Sequence, residues 1–380
     1  MNLSLSEEQE MLKSAAHDFL IEKCPKKVVK ELEESEEGYS TALWQEMAEL
    51  GWLGMAFPEK YGGGDMSFLD LSILLEEMGY SCLTGPFSST VVLGGLSILD
   101  AANEKQKQEY LPMIAKGKAI FTLALAEPGY QNYDAASITV KATVDNNDYI
   151  INGTKMFVPD AHIADYLLCV ARTKEQAKAE DGITIFLVDA KSSGISCTVL
   201  NTIAKDKLCE VIFDQVRVPE DNILGQLDQG WSIVRRIIER AAVTKCCEIL
   251  GNAQRVLEMT IDYAKERRQF DRPIGSFQVI QHYCVDMATD VDGIRLSTYH
   301  AAWMLSEGIP CTKEVAIAKT WAGDASQRVI TLAHQIHGAI GVTMEHDLHF
   351  YTRRAKAAEL TFGDADFYRE IVAQEMGLIS

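Results

Sequence analysis

The sequence predicts an α+β multidomain protein, with helices over residues 1–118, a β domain over 119–226 and a helical bundle over 227–380. Two observations carry this reading. Apolar residues recur at three- to four-residue spacing at both ends of the chain, and that spacing drops to two in the middle. Neither an internal repeat nor a low-complexity tract interrupts the pattern.

In the first block, Ser6 is placed to cap SEEQEMLKSAAHDFLIEKC, with Glu7, Glu8 and Glu10 favouring its first turn. Helical spacing continues through ALWQEMAELGWLGM and LDLSILLEEMGY, and Gly62, Gly63 and Gly64 read as a loop between helices. The alternating segments FTLALAEP, SITVKATV, DYIINGTKMFV, DYLLCVART, GITIFLVDA and CEVIFDQVRVP read as strands, with DNND as a turn. From residue 227 onward long periodic helices return, beginning with WSIVRRIIERAAVTKCCEILGNAQRVLEMTIDYAKERRQF.

The net charge of −19 excludes a broad nucleic-acid or anionic-membrane surface, because the summed field repels polyanions. Nine cysteines without a CxxC pair or metal-type spacing, most in apolar context, read as reduced thiols, and no metal is expected. No apolar run reaches membrane-spanning length, and the N-terminus has no basic segment leading into an apolar one. A soluble, cytoplasmic protein is therefore expected.

Three stretches carry candidate chemistry. KERRQFDRPIGSFQ gathers Lys265, Arg267, Arg268 and Arg272 in an otherwise acidic chain, either as a local phosphate site or as a solvated helix end. QIHGAIG, 335–341, offers glycines for close approach of a ligand or for a helix C-cap. AELTFGDADF, 358–367, displays Asp364 and Asp366, as proton acceptors or as a cap for the helix entering FYREIVAQEM.

Taken with WLGMAFPEKYGGG, ALAEPG, INGTKMFVPDAHIADYLLCVART and EVIFDQVRVPEDNILG, these stretches resemble the acyl-CoA dehydrogenase family over essentially the whole chain. The resemblance implies a middle β-barrel or sandwich and a C-terminal four-helix bundle. It also implies bound FAD, an acyl-CoA substrate, electron-transfer flavoprotein as acceptor, and a homo- or heterotetramer. Carried over by position, Arg267 pairs with the FAD pyrophosphate of a neighbouring protomer, and Phe270, Gln278, Gln335, Gly338 and Gly341 join it on the cofactor. Ala126 and Glu127 begin the strip facing the flavin, Phe157 stands where the family commonly has tryptophan, and Asp364 is counted among the cofactor-binding residues.

Two departures concern the flavin. Pro159 replaces the usual Thr or Ser, losing both hydroxyl and N–H. GYQNYD, 129–134, replaces the usual turn of small residues after Glu-Pro.

A third departure concerns the base. Alignment on Arg353, Lys356 and Gly363 puts Phe362 at the usual catalytic glutamate, so only its backbone N–H remains for the thioester oxygen. Branches of the family acting on branched and long chains carry the base just before an arginine on another helix, which here is Glu239-Arg240. At about 100° per residue, Glu239 falls in the apolar arc of Ala242, Cys246, Ile249, Leu250 and Ala253. Partial desolvation there favours a base; the bland alternative is an intrahelical pair with Arg235 or Arg236. The reaction expected is α,β-dehydrogenation of a branched or cyclic acyl-CoA. A base-lacking subunit of a hetero-oligomer and a non-desaturating flavin enzyme on the same fold are the alternatives.

Overall fold

The computed structural model describes residues 5–129, 133–175 and 178–379. The elements run α1 (Glu7–Lys23), α2 (Lys26–Glu34), α3 (Thr41–Glu49), α4 (Phe68–Ser81), a π-helix (Ser88–Gly95), α5 (Leu96–Ala101) and α6 (Glu104–Ala115). The strands follow as β1 (Phe121–Ala124), β2 (Lys141–Asp145), β3 (Asp148–Pro159), β4 (Tyr166–Arg172), β5 (Ile183–Asp189), β6 (Ile195–Val199), β7 (Leu208–Pro219) and β8 (Ile223–Leu224). The remainder is α7 (Trp231–Glu266), a two-residue ribbon β9 (Arg268–Gln269) and β10 (Arg272–Pro273), α8 (Gln278–Ser306), α9 (Thr312–His337), α10 (Leu348–Leu360) and α11 (Ala365–Glu375).

These elements pack into two compact units, one of residues 1–30, 67–83 and 242–380, the other of residues 31–66 and 84–241. Among the described residues the first unit is helical apart from the short β9–β10 ribbon. Its long helices bury continuous apolar faces, such as Cys246, Cys247, Ile249, Leu250 and Ala253 on α7. Within it, α4 and α7 cross backbone to backbone at two glycines. A Cβ on Gly79 would lie 2.2 Å from the Glu248 carbonyl oxygen, and one on Gly251 would lie 1.8 Å from that of Glu76. The Ser6 cap forms as expected, with Gln9 completing a capping box.

The second unit is built on a mixed sheet ordered β6-β7-β3-β2-β4-β5-β8, with β1 parallel to β4. The DNND turn closes the β2–β3 hairpin, and Asn146 supplies the left-handed residue (φ 57°) that such a turn needs. β3 and β7 run antiparallel with two register shifts, one of them between Lys155 and Val158. That bulge twists Phe157 out of the alternating pattern, an effect that periodicity alone does not reveal. The segment SITVKATV enters as a single turn at Ala135–Ser137 before β2 starts, so it is only partly strand. Of the turn expected over 129–134, residues 130–132 lie outside the described residues. Among the described residues no helix is long and apolar enough to cross a membrane.

Candidate active site

In the β unit, one left-handed residue and a buried ion pair organise one short stretch of surface. Phe157 sits at φ 54° with 55% of its surface exposed, so it is displayed rather than packed. Beside it, Lys155 is completely buried and its Nζ lies 2.6 Å from Glu127 Oε1 while also donating to the Leu125 carbonyl at 3.0 Å. Glu127 is satisfied further by the Val140 N–H at 3.1 Å and by the Thr139 N–H and hydroxyl at 2.9 and 2.5 Å. Its carboxylate therefore faces the interior, and what the 125–127 strip offers outward is main chain. The Ala126 carbonyl is bonded to the Met156 N–H at 2.8 Å, tying that strip to the bulge. Pro159 leaves its carbonyl to the Thr122 hydroxyl, 2.5 Å away. Neither Lys155 nor Thr122 was singled out by the sequence reading. A lysine at an inward position of a strand was the available signal, since a buried ammonium demands a carboxylate or carbonyls.

Still in this unit, Glu239 is half-buried on α7, between the buried neighbours Ile238 and Ala241, while Arg235 and Arg236 are exposed. Arg240 is committed elsewhere: its guanidinium grips Asp100 at the end of α5 through two bonds of 2.6 and 3.3 Å.

In the helical unit, the basic stretch opens on the last turn of α7, at Lys265 and Glu266, and then leaves the helix. α7 stops at Glu266, and a tight hairpin follows in which Phe270 (φ 50°) and Asp271 (φ 64°) are both left-handed. Two consecutive residues of this kind make a two-residue hairpin turn, which outweighs helical periodicity here. Phe270 is thereby presented with 86% of its surface exposed. Arg267, Gln278, Gln335 and Gly338 are exposed as well, and the Arg272 guanidinium stacks 4.0 Å over the Phe277 ring. Gly338 is the C-terminal stop of α9 at φ 63°, whereas Gly341 is buried, with no room for a Cβ beside His337.

His334, His337 and His346 cluster under this segment. His337 stacks on Tyr263 at 4.5 Å and meets His346 edge-on at 4.7 Å, and its Nε2 is buried without a hydrogen-bond partner. Burial first, and the neighbouring imidazoles second, hold His334 and His337 below the ordinary histidine value. Below about pH 6.5 the unfolded chain therefore binds protons that the folded chain resists, and stability falls as the solution is acidified. Free-flavin fluorescence is expected to rise and the melting temperature to drop together between about pH 6.5 and 5. His337→Gln should flatten both curves.

The final element is the loop from Leu360 to Asp364. Phe362 is buried and left-handed (φ 59°), its carbonyl accepting the Tyr368 hydroxyl at 2.8 Å. Gly363 follows at φ 101° under the rings of Phe367 and Tyr368. Asp364 caps α11, its Oδ1 receiving the Phe367 N–H at 2.9 Å, and Asp366 is exposed beside Arg369. Asp364→Ala should lower stability by about 1 kcal/mol through loss of the α11 cap, which denaturant melts will measure.

Residues 6–118, 122–216 and 228–377 match the N-terminal, middle and C-terminal domains of acyl-CoA dehydrogenases. The chain belongs to this family and is an oxidoreductase of the acyl-CoA dehydrogenase type. Over 99% of its length it is 30% identical to a probable acyl-CoA dehydrogenase, YngJ, of Bacillus subtilis, covering all of that protein. Over 99% of its length it is also 32% identical to the NADH-dependent acryloyl-CoA reductase of Anaerotignum propionicum, covering 96% of it. The solved butyryl-CoA dehydrogenase of Megasphaera elsdenii superposes with a TM-score of 0.91 at 29% identity, over 99% of this chain and 100% of that one. The family's cofactor is FAD. The residues present fit it: the β unit displays an aromatic ring beside fixed main-chain groups, and the helical unit displays arginines for a diphosphate.

Proposed function

We propose that the chain dehydrogenates a branched or cyclic acyl-CoA thioester between Cα and Cβ, with Glu239 as the base. The observation that carries this reading is the residue at 362. A buried phenyl ring stands where the family's usual glutamate is expected, and the nearest acids are a helix cap, Asp364, and an exposed ion-paired residue, Asp366. Glu239 remains as a half-buried carboxylate on a rigid helix, and its neighbour Arg240 is held by Asp100.

An α-proton of a thioester is too weakly acidic for a carboxylate in water, so donors must stabilise the negative charge that develops on the thioester oxygen. The Phe362 N–H is the donor proposed from this chain. FAD, when bound, would supply a second donor through a ribityl hydroxyl and the hydride-accepting chemistry for the β-hydrogen. Arg267, Phe270, Gln278, Gln335, Gly338 and Gly341 are proposed to hold the cofactor of a neighbouring protomer. Ala126, Glu127, Phe157, Pro159 and Asp364 are proposed to hold the chain's own. Electron-transfer flavoprotein is the proposed acceptor, a homo- or heterotetramer the proposed assembly, and the cytoplasm the proposed location.

The similarity to a reductase favours a second reading, addition of hydrogen across an α,β-unsaturated thioester. The same groups serve it, since Glu239 would return the proton it otherwise removes. Anaerobic bleaching of the flavin by straight, branched and cyclic acyl-CoA thioesters tests the first reading. Bleaching by the branched or cyclic members supports it. Reoxidation of the dithionite-reduced enzyme by enoyl-CoA thioesters, without bleaching by any saturated one, supports the second. Absence of flavin from the chain expressed alone overturns both in favour of a heteromeric enzyme.

A further inference from the structure

The least expected side chain in the helical unit is Lys319, on α9, none of whose surface is exposed. Its ammonium donates to two main-chain carbonyls, that of Glu359 at 2.6 Å and that of Gly363 at 2.7 Å, and lies 5.8 Å from the Tyr368 ring centroid. The carboxylate of Glu359 itself is engaged by Gln327 and by Lys356 at 2.9 Å. Lys319 thus ties the last turn of α10, at Glu359, to Gly363 in the segment that turns the chain into α11. A buried ammonium whose hydrogen bonds all go to neutral carbonyls is a costly way to cap a helix. Within the segment Phe362 is held left-handed, a backbone state unfavourable for a bulky residue. Its carbonyl is held by Tyr368, and those of Glu359, three residues before it, and Gly363, directly after it, by Lys319.

We propose that Lys319 is a positioning residue for the thioester: by clamping the carbonyls of Glu359 and Gly363 it fixes the stretch of backbone between them, and with it the direction of the Phe362 N–H. This rests on the reading that the 362 N–H donates to the thioester oxygen. Lys319 touches neither substrate nor flavin; it sets the direction of a donor that does. Burial lowers the lysine to about 8, so part of its charge is lost just above neutrality and the clamp weakens in that range.

The readout is the carbonyl stretching band of bound butyryl-CoA, labelled with carbon-13 at the carbonyl and used at saturation, by infrared difference spectroscopy. Glu239→Gln holoenzyme serves as the background, so that no chemistry follows binding. The expected result is a band lowered from its position in water in Glu239→Gln, and displaced back toward that position when Lys319→Met is added. In the Glu239-containing enzyme, Lys319→Met is expected to slow flavin reduction by roughly 10²-fold with little change in thioester dissociation constant. Lys319→Gln, which keeps a shorter, uncharged NH2 donor, should lie between and stands in if Lys319→Met does not fold. A band equally lowered with and without Lys319 overturns the clamp while leaving the 362 donor in place. No lowering in Glu239→Gln itself overturns the donor reading, and the proposal with it.

Discussion

Glu239→Gln is expected to slow flavin reduction by about 10³-fold or more, with the flavin still bound and the acyl-CoA dissociation constant nearly unchanged. The amide has almost the carboxylate's shape but cannot accept the α-proton, and a positioned base contributes about 10²–10⁴-fold to such a step. Binding should survive because an acyl-CoA draws its affinity from its whole length. Stopped-flow absorbance at the flavin band, with a titration of the same thioester, separates the two. A reduction rate within threefold of wild type would remove Glu239 from the mechanism and return the question to a partner chain. Solvent isotope exchange at Cα, followed without net turnover, gives a second view of the same proton, since loss of the base should stop exchange as well as oxidation.

Lys155→Met is the change with the largest expected effect on stability. It leaves Glu127 buried to 4% exposure with its ion-pair partner gone, and a stranded charge of this kind typically costs about 3–5 kcal/mol. Thr139 and Val140 still donate to the carboxylate, which places the expectation toward the lower end of that range. The loss should also reach the cofactor, because Lys155 is bonded to the Leu125 carbonyl and the strip from 125 to 127 is tied to the Phe157 bulge. Denaturant melts and flavin content measured on one preparation will show whether stability and cofactor retention fall together. The double variant Lys155→Met/Glu127→Leu should recover much of the stability, since removing both charges is far less costly than removing one.

Periodicity identified the helical and β segments because each buries a regular face, and the Ser6 capping box was visible as a local pattern of residue types. What it did not reveal were the places where backbone departs from that regularity. The basic stretch 265–278 read as a helix end, yet left-handed Phe270 and Asp271 turn it into a hairpin; neither glycine nor asparagine marks that turn. Phe157 was open to reading as core, because an alternating pattern carried through a bulge assigns the wrong face. The site residues came from an ordered set of motifs, whereas their supports, Lys155, Thr122 and Lys319, did not. Lys155 was marked only by its inward position on a strand, and neither buried lysine declares its carbonyl partners in the sequence.

Phe157 and Phe362 share one property, left-handed backbone under a bulky side chain, which a glycine would adopt without strain. Laboratory evolution for heat resistance, run without selection for turnover, should accordingly drift toward glycine or asparagine at these two positions. Each replacement would relieve local strain while removing the ring, or loosening the peptide plane, that activity is proposed to need. The order in which such a lineage loses catalysis would then trace, position by position, where this chain has kept strain in place of stability.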